Sequence, residues 1–188
     1  FAESDGATPV NLTNHSYFNL GDAPQILAHE LSLCADEYLP VNHERIPTGV
    51  LCPVAATPMD FRTRRSIGSR LDELNNDPSG YDHTYVLRPT CRTGGVAAEV
   101  YEPQSGRTMR VSTTEPGVQL YTGNFLDGSI VGKKGRAYRQ YGGVCLETQH
   151  FPDALHHSHF PSIILEPGKR LHSMTRFSFS CTHRVSDR

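Results

Sequence analysis

Apolar and polar residues alternate along most of this chain, and the dominant period is two. Val96, Ala98 and Val100 share one face of Val96–Tyr101. Met109 and Val111 share one face of Arg107–Thr113, with Arg110 and Ser112 opposite. Between these runs Glu102-Pro103-Gln104-Ser105-Gly106 has the composition and length of a hairpin connection. Leu171–Ser180 alternates again, with Leu171, Ser173, Thr175, Phe177 and Phe179 on one face. Asn11–Leu20, His29–Ala35, Thr84–Leu87, Val118–Tyr121, Val144–Thr148 and Ser162–Leu165 read as further strands. Helical spacing appears only in Ser66–Leu74, through Ile67, Leu71 and Leu74. Sixteen Gly and thirteen Pro fall mostly between the strand-like runs. The stretch 127–143, rich in glycine and basic residues, predicts a mobile surface loop. Together these elements predict an all-β, antiparallel sandwich. With 188 residues, the chain 1–188 is read as one domain.

Composition narrows the function classes. A formal net charge of −2 supplies no basic field for nucleic acid or an anionic membrane. The densest basic cluster, Arg62, Arg64 and Arg65, reads as a solvated surface. Five cysteines without a C-x-x-C argue against both a disulfide framework and a zinc site. Reduced thiols in a cytoplasmic protein are the expectation. No apolar run approaches a membrane span, and no charged-then-apolar segment opens the chain. The chain begins at Phe1 without Met, as expected of a piece of a longer chain or a processed product.

Four segments carry more chemistry than strands need. They are Thr8–Leu20, Gly80–Tyr85, Gly117–Phe125 and Cys145–Asp153. Singly, each has a plain structural explanation. A His after Asn in a strand commonly serves a hydrogen bond, Asp82 can start a strand through an Asx turn, and Gln119 can face solvent. Glu147 is harder to dismiss. Val144 and Leu146 share one face of their strand and Cys145 and Glu147 the other, so covering both faces buries a carboxylate at a cost. Collectively the four segments supply Asn, Asp, Gln, His, Glu and aromatics. Sugar hydroxyls require such donors and acceptors, and the C–H faces of the ring an aromatic wall.

The runs NLTNHSYFNL, GYDHTYVL, PGVQLYTGNFLDG and CLETQHFPDA, in that order, resemble the motifs of the aldose 1-epimerases (galactose mutarotases). The resemblance extends from about Thr8 to about Phe179. It implies a large twisted antiparallel β-sandwich that acts on a hexose such as galactose or glucose, without metal or organic cofactor. It implies His15 as general acid at the ring oxygen and Glu147 as general base at the anomeric hydroxyl. Asp82 and Gln119 are implied as sugar ligands, and Asn14 and Phe125 are added from the same motifs. Family members are longer at the N-terminus, where they bring an arginine and another histidine to the pocket. The sandwich is therefore expected to be incomplete at its N-terminus, and the isolated chain weakly active or inactive. A monomer with a small sugar as its partner is expected, with neither nucleic acid nor membrane.

Other readings remain beside this one: a sugar-binding sandwich without turnover, or an inactive fragment. A glycosidase would need a second carboxylate, for which only Asp82 is available, and the His–Glu pair makes it the weaker reading. A hexose-6-phosphate epimerase needs a basic clamp that the motifs do not place. The run His156-His157-Ser158-His159 invites a metal site, but no acidic or cysteine ligand accompanies it, and it is read as a surface loop.

Overall fold

The computed structural model describes residues 1–182. Ten strands build two five-stranded antiparallel sheets. They are β1 (Glu30–Leu33), β2 (Ala35–Tyr38), β3 (Cys52–Pro53), β4 (Arg65–Ser66), β5 (Asp82–Leu87), β6 (Ala98–Glu102), β7 (Arg107–Thr113), β8 (Gly117–Tyr121), β9 (Cys145–Gln149) and β10 (Thr175–Cys181). One sheet has the order β9-β8-β5-β2-β3 and the other β10-β7-β6-β1-β4. Their facing sides share one core. Tyr85, Val118, Leu120 and Leu146 come from the first sheet, and Leu31, Leu33, Val100, Met109 and Val111 from the second. The predicted alternation thus becomes a sandwich, because every second side chain leaves water for the space between the sheets. Among the described residues, no helix is long and apolar enough to cross a membrane.

Several boundaries differ from the pattern. The predicted strand His29–Ala35 breaks at Cys34, where the chain leaves one sheet for the other. The predicted helix is a 3₁₀ segment, Ile67–Glu73, interrupted at Arg70. Only Ile164–Leu165 of Ser162–Leu165 is extended, paired with Thr8–Pro9. In the last strand Phe177 packs on the core, whereas Phe179 is exposed. The predicted loop 127–143 contains a two-stranded ladder, Asp127–Val131 against Ala137–Arg139.

The expectation of wholly reduced thiols is overturned by a Cys34–Cys91 disulfide. Cys34 lies at one sheet-to-sheet crossing, and Cys91 lies in a short helix, Pro89–Arg92, within another. Backbone bonds from Cys34 N–H to Ala97 C=O and from Arg88 N–H to Cys34 C=O hold the two crossings together. Two cysteines 57 positions apart carry no spacing signal for such a meeting.

Candidate active site

Strands β5, β8 and β9 are neighbours, and their registers align three rows of residues. Asp82, Tyr121 and Cys145 form one row; Thr84, Gln119 and Glu147 form the next; Val86, Gly117 and Gln149 form the third. Because strand side chains alternate, residues of these rows project from the sheet face opposite the core. Gly80 sets the start of β5. Its φ of 152° favours glycine, and a Cβ there would strike Asn124. Asn124 Nδ2 in turn donates to Tyr81 C=O at 3.1 Å, and Tyr81 N–H donates to Thr122 Oγ1 at 2.9 Å. This clamp fixes the residue immediately before Asp82.

His15 arrives differently. The segment Asn11–Leu20, predicted as a strand, makes one isolated bridge, Phe18 to Val144. Elsewhere its asparagine side chains replace the ladder along the free edge of β9. Asn11 Nδ2 donates to His150 C=O at 3.1 Å and Asn11 Oδ1 accepts from His150 N–H at 3.0 Å. Asn14 Nδ2 donates to Leu146 C=O at 3.4 Å. The segment therefore hugs the edge without being a strand, and His15 leans over the polar face. Its Nε2 lies 3.2 Å from Glu147 Oε1, and its Nδ1 lies 3.5 Å from Cys145 Sγ. The imidazole stacks on Tyr17 at 5.1 Å and meets the edge of Tyr121 at 5.9 Å.

His15, Asp82, Gln119 and Glu147 line one cleft of about 200 Å³, with Tyr121, Gln149 and Pro152. That volume is below the roughly 300–1,000 Å³ of sites for drug-sized ligands and suits one small polar ring. Gln119 Nε2 donates to Asp82 Oδ1 at 2.7 Å, and Thr84 Oγ1 donates to Gln119 Oε1 at 2.5 Å. Asn14 and Phe125 are placed elsewhere. Asn14 does not line the cleft, since its amide is spent on Leu146. Phe125 stands behind Tyr121, with rings 6.5 Å apart, and carries the Arg45 guanidinium 4.0 Å over its own ring. A larger cavity of about 520 Å³ opens beside Asp82, lined by Tyr38, Asn42, Arg45, Asn76 and His83 among others. Its titratable groups include His43, His83, Glu73, Asp77 and Asp82 but neither His15 nor Glu147, so the pair that meets at 3.2 Å belongs to the smaller cleft.

Burial pushes the Glu147 carboxyl above its usual range; His15 opposes that shift and Asp82 reinforces it. Burial, together with Cys145, Tyr121, Glu147 and Asp82, pushes the Tyr17 phenol up to about 12. The Cys145 thiol is also raised, by burial first and then by Glu147 and Asp82. His15, Cys145 and Glu147 bring a nitrogen, a sulfur and an oxygen within 4.8 Å of one another, a donor set the sequence did not reveal. A cation there would have to displace a firmly held thiol proton. In the histidine run, Asp153 does accompany His156 and His157, contrary to expectation. The two rings meet different oxygens of that carboxylate, and His159 donates to Gly49 C=O at 2.8 Å instead.

Tyr121 and Gln149 were not singled out from the sequence. Extending the period of two from Gln119 to Tyr121 and from Glu147 to Gln149 finds both. Thr84 follows from Asp82 in the same way.

The aldose 1-epimerase family profile matches residues 2–178. Galactose mutarotase of Rattus norvegicus is 46% identical over 95% of this chain and 52% of its own length. Aldose 1-epimerase of Escherichia coli K12 is 37% identical over 95% of this chain and 53% of its own. The crystal structure of a GalM/aldose epimerase homologue from C. elegans superposes with a TM-score of 0.84 at 29% identity, covering 96% of this chain and 54% of that one. Galactose 1-epimerase from Lactobacillus acidophilus gives 0.74 at 30% identity, over 96% of this chain and 52% of that one. The chain spans about half the length of these relatives. On the strength of the family match over nearly its whole length, this chain belongs to the aldose 1-epimerase family.

Proposed function

We propose that this chain interconverts the α and β anomers of a hexose, galactose or glucose, by acid–base opening of the ring. The observation that carries the reading is the approach of His15 Nε2 to Glu147 Oε1, 3.2 Å apart in one cleft. The relatives named galactose mutarotase and aldose 1-epimerase support it.

Opening a hemiacetal moves two protons at two oxygens bonded to one carbon. Glu147, as carboxylate, takes the proton from the O1 hydroxyl. His15 gives a proton to the ring oxygen O5. The C1–O5 bond breaks, O1 becomes the aldehyde oxygen, and rotation about C1–C2 presents the other face. Closure reverses each transfer and returns both protons. An acid and a base side by side match that geometry. The raised Glu147 pKa brings a carboxylate closer to the operating pH, where a general base is most effective. Asp82 and Gln119 hold sugar hydroxyls, and Tyr121 offers an aromatic edge. The scheme uses side chains alone, with the sugar as partner, and we expect a cytoplasmic monomer.

Polarimetry of freshly dissolved α-D-galactose tests the reading. The rotation should relax faster than in buffer, though only weakly for a chain that spans about half the length of its relatives. A rate equal to buffer would favour a binding module if sugar is still bound, and an inactive fragment if it is not.

A further inference from the structure

Thr84 is 2% exposed and pairs across the ladder with Gln119. Through it the Gln119 amide is committed before any sugar arrives. The direction of the hydrogen bonds follows from charge. An ionised Asp82 only accepts, so the end of the amide facing it at 2.7 Å must be the NH₂ group. The amide oxygen is thereby turned to Thr84, and the hydroxyl, 2.5 Å away, must donate. A flipped amide would set its oxygen against the carboxylate and leave the NH₂ to the threonine. Each link sits on a strand, so the relay is held by the sheet and not by a loop.

We propose that Thr84 is a positioning residue for sugar recognition, locking the Gln119 amide so that the cleft presents one free amide N–H beside an acceptor-only Asp82. The ligand chemistry that fits is a pair of neighbouring hydroxyls, one accepting from Gln119 and the other donating to Asp82. The Gln119 oxygen, which accepts from Thr84, keeps one lone pair and can only accept from a further hydroxyl. The proposal deepens the epimerase reading and rests on it for its kinetic readout, while the relay itself is observable without turnover.

The test compares Thr84→Val and Thr84→Ser, each in wild-type and Gln119→Ala backgrounds. Mutarotation of α-D-galactose gives KM and kcat, and ¹H–¹⁵N spectra follow the Gln119 side-chain amide. Thr84→Val should raise KM about fivefold, the effect of one net hydrogen bond, with kcat little changed. Thr84→Ser should restore KM. In the Gln119→Ala background Thr84→Val should add nothing. The Gln119 amide resonances should move in Thr84→Val and stay in Thr84→Ser. Unchanged resonances in Thr84→Val, or effects of Thr84→Val and Gln119→Ala that simply multiply, would overturn the proposal. Should Thr84→Val fail to fold, Thr84→Ala carries the same readouts. Should the isolated chain, expected to be weakly active or inactive, show no mutarotation, the amide resonances decide the relay by themselves.

Discussion

His15 and Glu147 meet at 3.2 Å although they lie far apart in the sequence, one on an irregular edge segment and the other on β9. The pairing places an exposed imidazole over a carboxylate whose side chain is only 10% exposed. This asymmetry has consequences that can be measured.

Activity should depend on pH through Glu147. The base must be ionised to accept the O1 proton, and burial raises its pKa. Activity should therefore climb with pH through a limb lying above the ordinary glutamate range of about 4.3. A kcat profile from pH 4 to 8 checks this, and a limb centred at the ordinary value would contradict a desolvated base.

The same burial acts on stability with the opposite sign to a salt-bridged carboxylate. Glu147 is harder to ionise folded than unfolded, so at neutral pH its charge opposes folding, and the deficit vanishes as pH falls below the unfolded value. Glu147→Gln should melt slightly higher than wild type at pH 7 and with no gain at pH 3.5. Paired thermal melts at the two pH values test it.

Glu115 behaves conversely. Its burial would raise its pKa, but His150 Nδ1 at 2.7 Å and the Ser173 hydroxyl bond its oxygens and lower it overall. A lowered folded pKa means that stability is present above the unfolded pKa and is lost as pH falls through the folded one. Glu115→Gln should cost about 1–3 kcal/mol at pH 7, because the side chain is 6% exposed and its partners lose a charged acceptor. Denaturant unfolding at pH 7 and pH 3 should show the gap shrinking on acidification.

Asn14→Ala frees the Leu146 carbonyl and loosens the segment that carries His15. The expected result is a fall in kcat of about tenfold with a smaller change in sugar affinity, since the cleft itself is lined by other residues. Steady-state polarimetry separates the two parameters. An affinity loss alone would return Asn14 to the role of a direct sugar ligand.

The alternation of Met109 with Val111 and of Val118 with Leu120 was enough to read the sandwich, because a two-sided core imposes a period of two on every strand. The polar face was legible for the same reason: Glu147 sits out of phase with Val144 and Leu146. Asn11–Leu20 has the pattern of a strand without being one, because its asparagine side chains bond the strand edge in place of main chain, which alternation does not report. Cys34 and Cys91 meet through two crossings between sheets, and no local pattern records that. A period of two puts Thr84 on the face of Asp82, but a threonine in a strand is ordinary by composition, and its partnership with Gln119 comes only from the register.

The most direct measurement is the mutarotation rate of α-D-galactose with Glu147→Gln, beside a galactose-binding titration of the same variant. The His15–Glu147 proton-transfer scheme predicts a kcat lower by roughly 10²–10⁴-fold with galactose binding retained. A Glu147→Gln protein that turns galactose over at the wild-type rate would contradict it.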